Sequence, residues 1–324
     1  MKALMCTQFG PPSSLQVLEQ PLMTAGHGEV VVAVKAAGIN FPDTLIIEDR
    51  YQIKAPLPFS PGGEFSGVIE EVGADVPDLV AGQEVIGFVG WGAFARQIRV
   101  QPPALFAMPA GLPFDVAGSF LMTYGTAYHA LRDRAQLMAG ETVLVLGAAG
   151  GLGIASIELA KALGAKVIAA ASSAEKLAVC RAHGADETID YEHEDLRERL
   201  KKITGGRGVD VVCDVVGGRF SEPALRSVGW RGRFLVIGFA GGEIPRIALN
   251  LPLLKGCAIV GVFWGDYLKR ERSRVEGDIR TLADLYSAGR IRPLISQRFS
   301  LEETPAALEA VRQRKAMGKG VVVP

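Results

Sequence analysis

The sequence predicts an α/β fold in which a doubly wound parallel sheet is inserted into a smaller, β-rich unit. Three observations carry this. Short apolar runs bounded by glycines crowd residues 1–123. Beyond Gly140 strands and helices alternate up to residue 264. The sequence then closes on "GKGVVVP", whose "GVVV" reads as a strand returning to the first unit. The boundaries expected are therefore 1–123 for the first part of a catalytic domain, 124–264 for a nucleotide-binding domain, and 265–324 for the return.

Each element follows from local pattern. In the first unit "EVVVAVKAAGIN" is a strand ending at a glycine, and "FSGVIEEVG", "GQEVIGFVG" and "GAFARQIRV" are further strands. Strands at that spacing suggest a compact barrel-like unit. In the second, "ETVLVLGA" is a buried strand, "GLGIASIELAKALGA" a helix with a glycine stop, and "KVIAAAS" a strand. The helix "SAEKLAVCRAHGA", the strand "ETIDY", the charged helix "HEDLRERLKKITGGRG" and the strands "VDVVCDVVG", "GRFLVIGF" and "CAIVGVFWG" complete six strand positions. Strands alternating with crossover helices make a parallel sheet covered on both faces. Six of them make the doubly wound nucleotide-binding, or Rossmann, arrangement. A helix, "RVEGDIRTLADLYSAGRI", follows. Ligand pockets favour the cleft between two such domains.

Composition narrows the function. The chain has 324 residues, 48% hydrophobic and 22% charged, with 35 basic and 35 acidic residues. Zero net charge provides no global field for nucleic acid or an anionic membrane. No apolar run reaches the ~20 residues that span a bilayer, and the N-terminus has no signal-peptide core. Cys6, Cys180, Cys213 and Cys257 form no CxxC pair. They read as reduced, cytoplasmic thiols.

The turn after "VLVL" carries the chemistry. Gly147, Gly150, Gly151 and Gly153 crowd it, with Leu152 between the last two. Against G-x-G-x-x-G, Ala148 holds the first position, and Gly150 and Gly153 the second and third. Such a turn brings backbone N–H groups and a helix dipole up to a pyrophosphate. After the second strand an NAD site places an acid on the ribose 2′-OH; here Ser172 stands there instead. Ser172 and Ser173 offer hydroxyl donors, and Lys176 a charge suited to a 2′-phosphate. Tyr191, ending the third strand, reaches for the same pocket. The ligand expected is NADP(H). A serine here also suits an N-cap, and the two roles share one helix start.

These residues, with "AAGINFPDTL", "PGGEFSGVIEEVG", "MTYGTAYHAL", "AAGGLG", "ASSAEKL", "GADETIDY" and "GKGVVVP", resemble the zinc-independent NADPH:quinone oxidoreductases of the medium-chain dehydrogenase/reductase superfamily. The resemblance spans essentially the whole chain and implies a GroES-like catalytic domain. The alcohol dehydrogenase branch has a zinc-binding cysteine where Asn40 stands and a histidine where Gly63 stands. Catalytic zinc needs three protein ligands, and Glu64 alone cannot hold it. No cysteine occurs between Gly82 and Pro109, so the structural zinc lobe is absent too. His27, His129, His183 and His193 show no ligand spacing. No metal is expected.

Without a Lewis acid, the resemblance implies reduction of quinones or α,β-unsaturated carbonyls by hydride or electron transfer. It assigns Asn40 to the nicotinamide cleft, where it would hydrogen-bond a carbonyl or a ribose hydroxyl, and Tyr51 to the substrate as a proton donor. Thr126 would sit beside the nicotinamide, Phe239, Ala240 and Gly241 along its riboside, and Phe263, Trp264 and Gly265 near the carboxamide. Trp264 equally suits a core or interface position. Lys319 is assigned to the cofactor phosphates. The apolar "CAIVGVFW" strand suits pairing across a homodimer axis. The alternative activity is 2-enoyl-thioester reduction. A remoter one, from crystallin-type members, is an NADPH-binding structural or RNA-binding role, against which the charge balance argues.

Overall fold

A computed structural model describes residues 1–324 and divides the chain into two units, residues 1–122 with 295–324, and residues 123–294. The return to the first unit thus comes at Ile295, not at residue 265. The intervening residues form helices that keep contact with the second unit, as where Tyr267 stacks on His129 at 3.9 Å between ring centres.

The first unit opens with a two-stranded antiparallel ribbon, β1 (Lys2–Met5) and β2 (Gln16–Glu19). β3 (Val30–Gly38) leads into the short helix α1 (Phe41–Ile46). β4 (Glu64–Val72), β5 (Glu84–Phe88), β6 (Gln97–Val100) and β7 (Leu105–Ala107) follow, then α2 (Phe114–Ala117). Alternation sends Phe65, Ile69, Val85, Ile98 and Leu105 into one core with Phe94 and Phe59.

A helical run with π-type turns at Leu121–Gly125 and His129–Arg134 contains α3 (Thr126–Tyr128) and belongs, from Thr123 on, to the second unit. Then come β8 (Thr142–Leu146), α4 (Gly151–Ala162), β9 (Lys166–Ala171), α5 (Ala174–Ala182), β10 (Glu187–Asp190) and α6 (Leu196–Ile203). β11 (Val209–Asp214), α7 (Ser221–Arg226), β12 (Val228–Val236), α8 (Asn250–Lys255), β13 (Ala258–Gly261), α9 (Trp264–Arg270) and α10 (Arg272–Ser287) complete it. The sheet order is β10-β9-β8-β11-β12-β13, all parallel. That order reverses between β8 and β11, where doubly wound sheets bind ligands. β8 is buried from Val143 to Leu146, as a strand covered on both faces must be.

β14 (Ile295–Phe299), α11 (Thr304–Arg312) and β15 (Lys319–Val322) belong to the first unit. β15 pairs antiparallel with β3, Val321 opposite Gly38, so the terminal "GVVV" joins the first sheet. No helix is long and apolar enough to cross a membrane.

Candidate active site

The second unit builds an anion cradle at the end of β8. Gly147 takes φ +64°, which turns the chain out of the strand at little cost without a Cβ. A Cβ at Gly153 would lie 2.5 Å from the carbonyl oxygens of both Gly147 and Ala148, so this glycine is required by helix–strand packing. Gly150 differs. A Cβ there would meet only the Gly147 carbonyl, at 3.6 Å. Protein packing does not demand glycine at Gly150; the space in front of it is open. Gly150 is the N-cap of α4 and has no side chain to satisfy the first-turn N–H groups of Gly151, Leu152 and Gly153. Those groups and the helix dipole are available to an anion.

At the next helix start Ser173 caps α5, its Oγ accepting from Lys176 N at 3.3 Å. Lys176 Nζ donates to Ser172 Oγ at 3.0 Å, which places a cation and two hydroxyls together at the end of β9. Tyr191, just past β10, packs on Phe220 with ring centres 4.3 Å apart, and the Arg219 guanidinium lies 4.8 Å from the Phe220 ring centre. At the end of β11 the buried Asp214 accepts from the backbone N–H of Val216 and Gly217 and from Ser221 Oγ. The loop after β12 is stitched to this one: Ala240 N donates to Val215 O, and Gly241 N to Val216 O. Phe239 lies against Gly217.

Thr126 and Trp264 are both buried, and neither Thr126 Oγ1 nor Trp264 Nε1 has a hydrogen-bond partner. Trp264 lies flush on Gly125, where a Cβ would sit 2.4 Å from the indole. Phe263, the N-cap of α9, is half exposed, and Gly265 lies in the first turn beside it.

The first unit gathers a polar cluster around the end of β3. Glu64 is 1% exposed and Lys319 7%. Lys319 Nζ donates to Ile39 O at 2.7 Å, Asn40 Oδ1 at 2.7 Å and Glu64 Oε1 at 3.1 Å. An ammonium has three protons, and all three are spent. Asn40 Nδ2 donates to Gly38 O at 3.1 Å and Glu64 Oε1 at 2.8 Å. Met122 N donates to Glu64 Oε2 at 2.8 Å. Asn40 also caps α1, its backbone N donating to Asp43 Oδ2 at 2.7 Å. Burial pushes the Asp43 carboxyl up to about 7, opposed by the Asn40 N–H and by Lys319. Tyr51 packs against the apolar core of this unit. Burial, with the nearby Asp43 charge, pushes its phenol up, so it is a neutral donor near pH 7.

Residues 26–110 match the alcohol dehydrogenase GroES-like domain model, and residues 151–284 the zinc-binding dehydrogenase model. Quinone oxidoreductase-like protein 2 homolog of Nematostella vectensis is 39% identical over 99% of this chain and 88% of its own length. The quinone oxidoreductase of Pseudomonas aeruginosa is 33% identical over 100% of this chain and 99% of its own length. The crystal structure of Escherichia coli quinone oxidoreductase complexed with NADPH superposes with a TM-score of 0.94, at 30% identity and full coverage of both chains.

The chain belongs to the quinone oxidoreductase family of medium-chain dehydrogenases/reductases.

Within this family fold, the expected residues fall into separate groups. Gly150–Gly153 line one turn, Ser172, Ser173 and Lys176 meet at the next, and Tyr191 stands on Phe220. Asn40 joins Lys319, Glu64 and Asp43 in the first unit. Two expectations need correction. Lys319 has no proton left for a phosphate. Asn40 has no proton left for a substrate carbonyl; Oδ1 can only accept, which suits a hydroxyl donor. Zinc does not fit here: Gly63 offers no ligand, and Asn40 and Glu64 already hold a cationic ammonium. The structure contains no cluster of three or more His, Cys, Asp or Glu able to hold a metal.

A dinucleotide does fit. The space before Gly150, the uncapped start of α4 and the Ser172–Lys176 pair suit a pyrophosphate and a 2′-phosphate, and Thr126 Oγ1 and Trp264 Nε1 lack partners of their own. Sequence reasoning did not find the role of Glu158 in α4, which accepts from Tyr124 Oη at 2.7 Å and Arg292 N at 2.8 Å and lies 2.6 Å from His183 Nδ1. A glutamate amid "IASIELA" was the available signal.

Proposed function

We propose that this protein is a zinc-independent, NADPH-dependent reductase of quinones or α,β-unsaturated carbonyls. The observation that carries this reading is Lys176 Nζ poised on Ser172 Oγ where an NAD site would place an acid. Gly150–Gly153 would hold the pyrophosphate, Ser172, Ser173, Lys176 and Tyr191 the adenosine end, and Thr126, Phe239, Ala240, Phe263, Trp264 and Gly265 the nicotinamide end. Bound NADPH supplies a hydride. A conjugated acceptor that gains hydride develops negative charge on its oxygen. Tyr51, held neutral by burial, donates the proton that quenches it. Asn40 would accept a hydroxyl of the nicotinamide ribose on Oδ1. No Lewis acid is needed, because conjugation already delocalises the developing charge.

The test is NADPH oxidation by chelator-treated protein with p-benzoquinone, phenanthrenequinone and crotonyl-CoA in parallel, and NADH as control. Quinone turnover surviving the chelator and preferring NADPH supports the reading. Turnover of the thioester alone transfers the protein to enoyl-thioester reduction, and dependence on added zinc defeats the metal-free chemistry.

The protein acts as a homodimer paired through β13 in this proposal. That strand is a sheet edge with Ile259 exposed, and Trp230, Leu253 and Leu254 are exposed in the same unit. Light scattering showing a monomer would refute this. The four free cysteines suit a cytoplasmic setting.

A further inference from the structure

We infer that Lys319 is a positioning residue: its ammonium fixes the Asn40 amide in the one orientation that presents Oδ1, and so makes Asn40 an acceptor for the cofactor's ribose. The inference rests on the role of Asn40 in the proposed function. The geometry allows no other orientation. Lys319 Nζ has only protons to offer, and it faces one amide atom of Asn40 at 2.7 Å. Glu64 Oε1 and Gly38 O have only lone pairs, and they face the other at 2.8 and 3.1 Å. A flipped amide would set N–H against ammonium and oxygen against carboxylate. Rotation about the terminal amide torsion is broad in isolation, so the neighbours supply the selection. Two backbone contacts keep Lys319 there. β15 pairs with β3, and Ile39 N donates to Gly320 O at 3.0 Å. The ammonium also offsets the buried Glu64 charge, which alone would be costly.

The experiment measures binding of NADPH, and separately of adenosine 2′,5′-bisphosphate, to the full-length chain and to Lys319→Met, Asn40→Ala, the double variant N40A/K319M and the charge-neutral double variant E64Q/K319M. That fragment carries the 2′-phosphate but lacks the nicotinamide riboside, so a general loss of structure weakens both ligands, while lost positioning weakens only NADPH. NADPH affinity falls about tenfold in K319M, in N40A and in E64Q/K319M, or about 1.4 kcal/mol. It falls no further in N40A/K319M than in N40A, and the fragment's affinity stays within twofold throughout. E64Q/K319M removes both members of the Glu64–Lys319 pair, so it keeps the test valid if K319M alone folds poorly. NADPH affinity unchanged in both K319M and E64Q/K319M while N40A weakens it overturns the positioning role, as do additive losses in N40A/K319M. Unchanged affinity in N40A instead overturns the ribose role of Asn40, and the inference with it.

Discussion

Around Asn40 the first unit spends its side-chain protons internally: three from Lys319 and two from Asn40 go to neighbours in the same cluster. The start of α4 in the second unit does the reverse. It has a glycine as N-cap, no side-chain cap and open space before Gly150. Burial is affordable for charge only when every donor and acceptor is matched. Unmatched donors at a helix start survive where a ligand or water can reach them. Satisfied polarity thus marks a scaffold that orients, and unsatisfied polarity marks a surface that binds.

Four measurements break or sharpen that contrast. The largest effect is expected from Glu64→Gln, which leaves the Lys319 charge buried without its carboxylate. Breaking a buried pair costs about 3–5 kcal/mol, read in urea unfolding. E64Q/K319M recovers most of it, because neither charge then remains.

The second measurement compares two glycines. Gly153→Ala drives a Cβ into two backbone carbonyls and loses about 1–3 kcal/mol of stability. Gly150→Ala leaves the melting temperature nearly unchanged, since its backbone, at φ −75°, accepts any residue. It weakens NADPH binding about tenfold, near 1.4 kcal/mol, by filling the cradle. Equal melting losses for the two would show that Gly150 serves packing.

Third, Lys176→Ala raises the KM for NADPH about tenfold, the range of one charge-assisted hydrogen bond, and leaves that for NADH unchanged. Parallel rises in both would place Lys176 off the 2′-phosphate.

The fourth measurement is a pH dependence. The folded chain holds the Asp43 proton up to about 7, against an ordinary value of 3.8. A carboxyl raised by folding contributes stability that is fully present below about pH 4 and is lost as pH rises through about 7. Asp43→Asn lacks that titration. The melting temperature of the parent therefore falls relative to that of D43N between pH 5 and pH 8. A constant gap would mean that Asp43 stays ionised in the fold.

What the sequence disclosed follows the same division. Periodicity and glycine punctuation identify the six parallel strands and the turn at Gly150–Gly153, because both are local. Ser172 and Lys176 lie one helical turn apart and are equally local. The Asn40 cluster is not: Lys319 meets Asn40 across 279 residues and Glu64 across 255. Pairing between β3 and β15 creates those contacts, and no local pattern encodes a strand's distant partner. One clue was present. In "GKGVVV" a two-residue period puts Lys319 on the same face as Val321, which is fully buried. A lysine on a core-facing register has to find oxygens inside. The return at Ile295 was hidden for a related reason, since α9 and α10 look alike on either unit until their packing is known.

The reach between Glu64 and Lys319 also bears on how the chain is made. A ribosome adds roughly 5–20 residues per second, so Glu64 emerges many seconds before the lysine that neutralises it. During that interval the whole second unit is synthesised and free to fold, while the first still lacks β15 and its internal counter-ion. Nascent chains halted ahead of Lys319 should accordingly show a protease-resistant second unit joined to a protease-sensitive first. Arrival of β15, with Lys319 at its head, then completes the older half of the molecule.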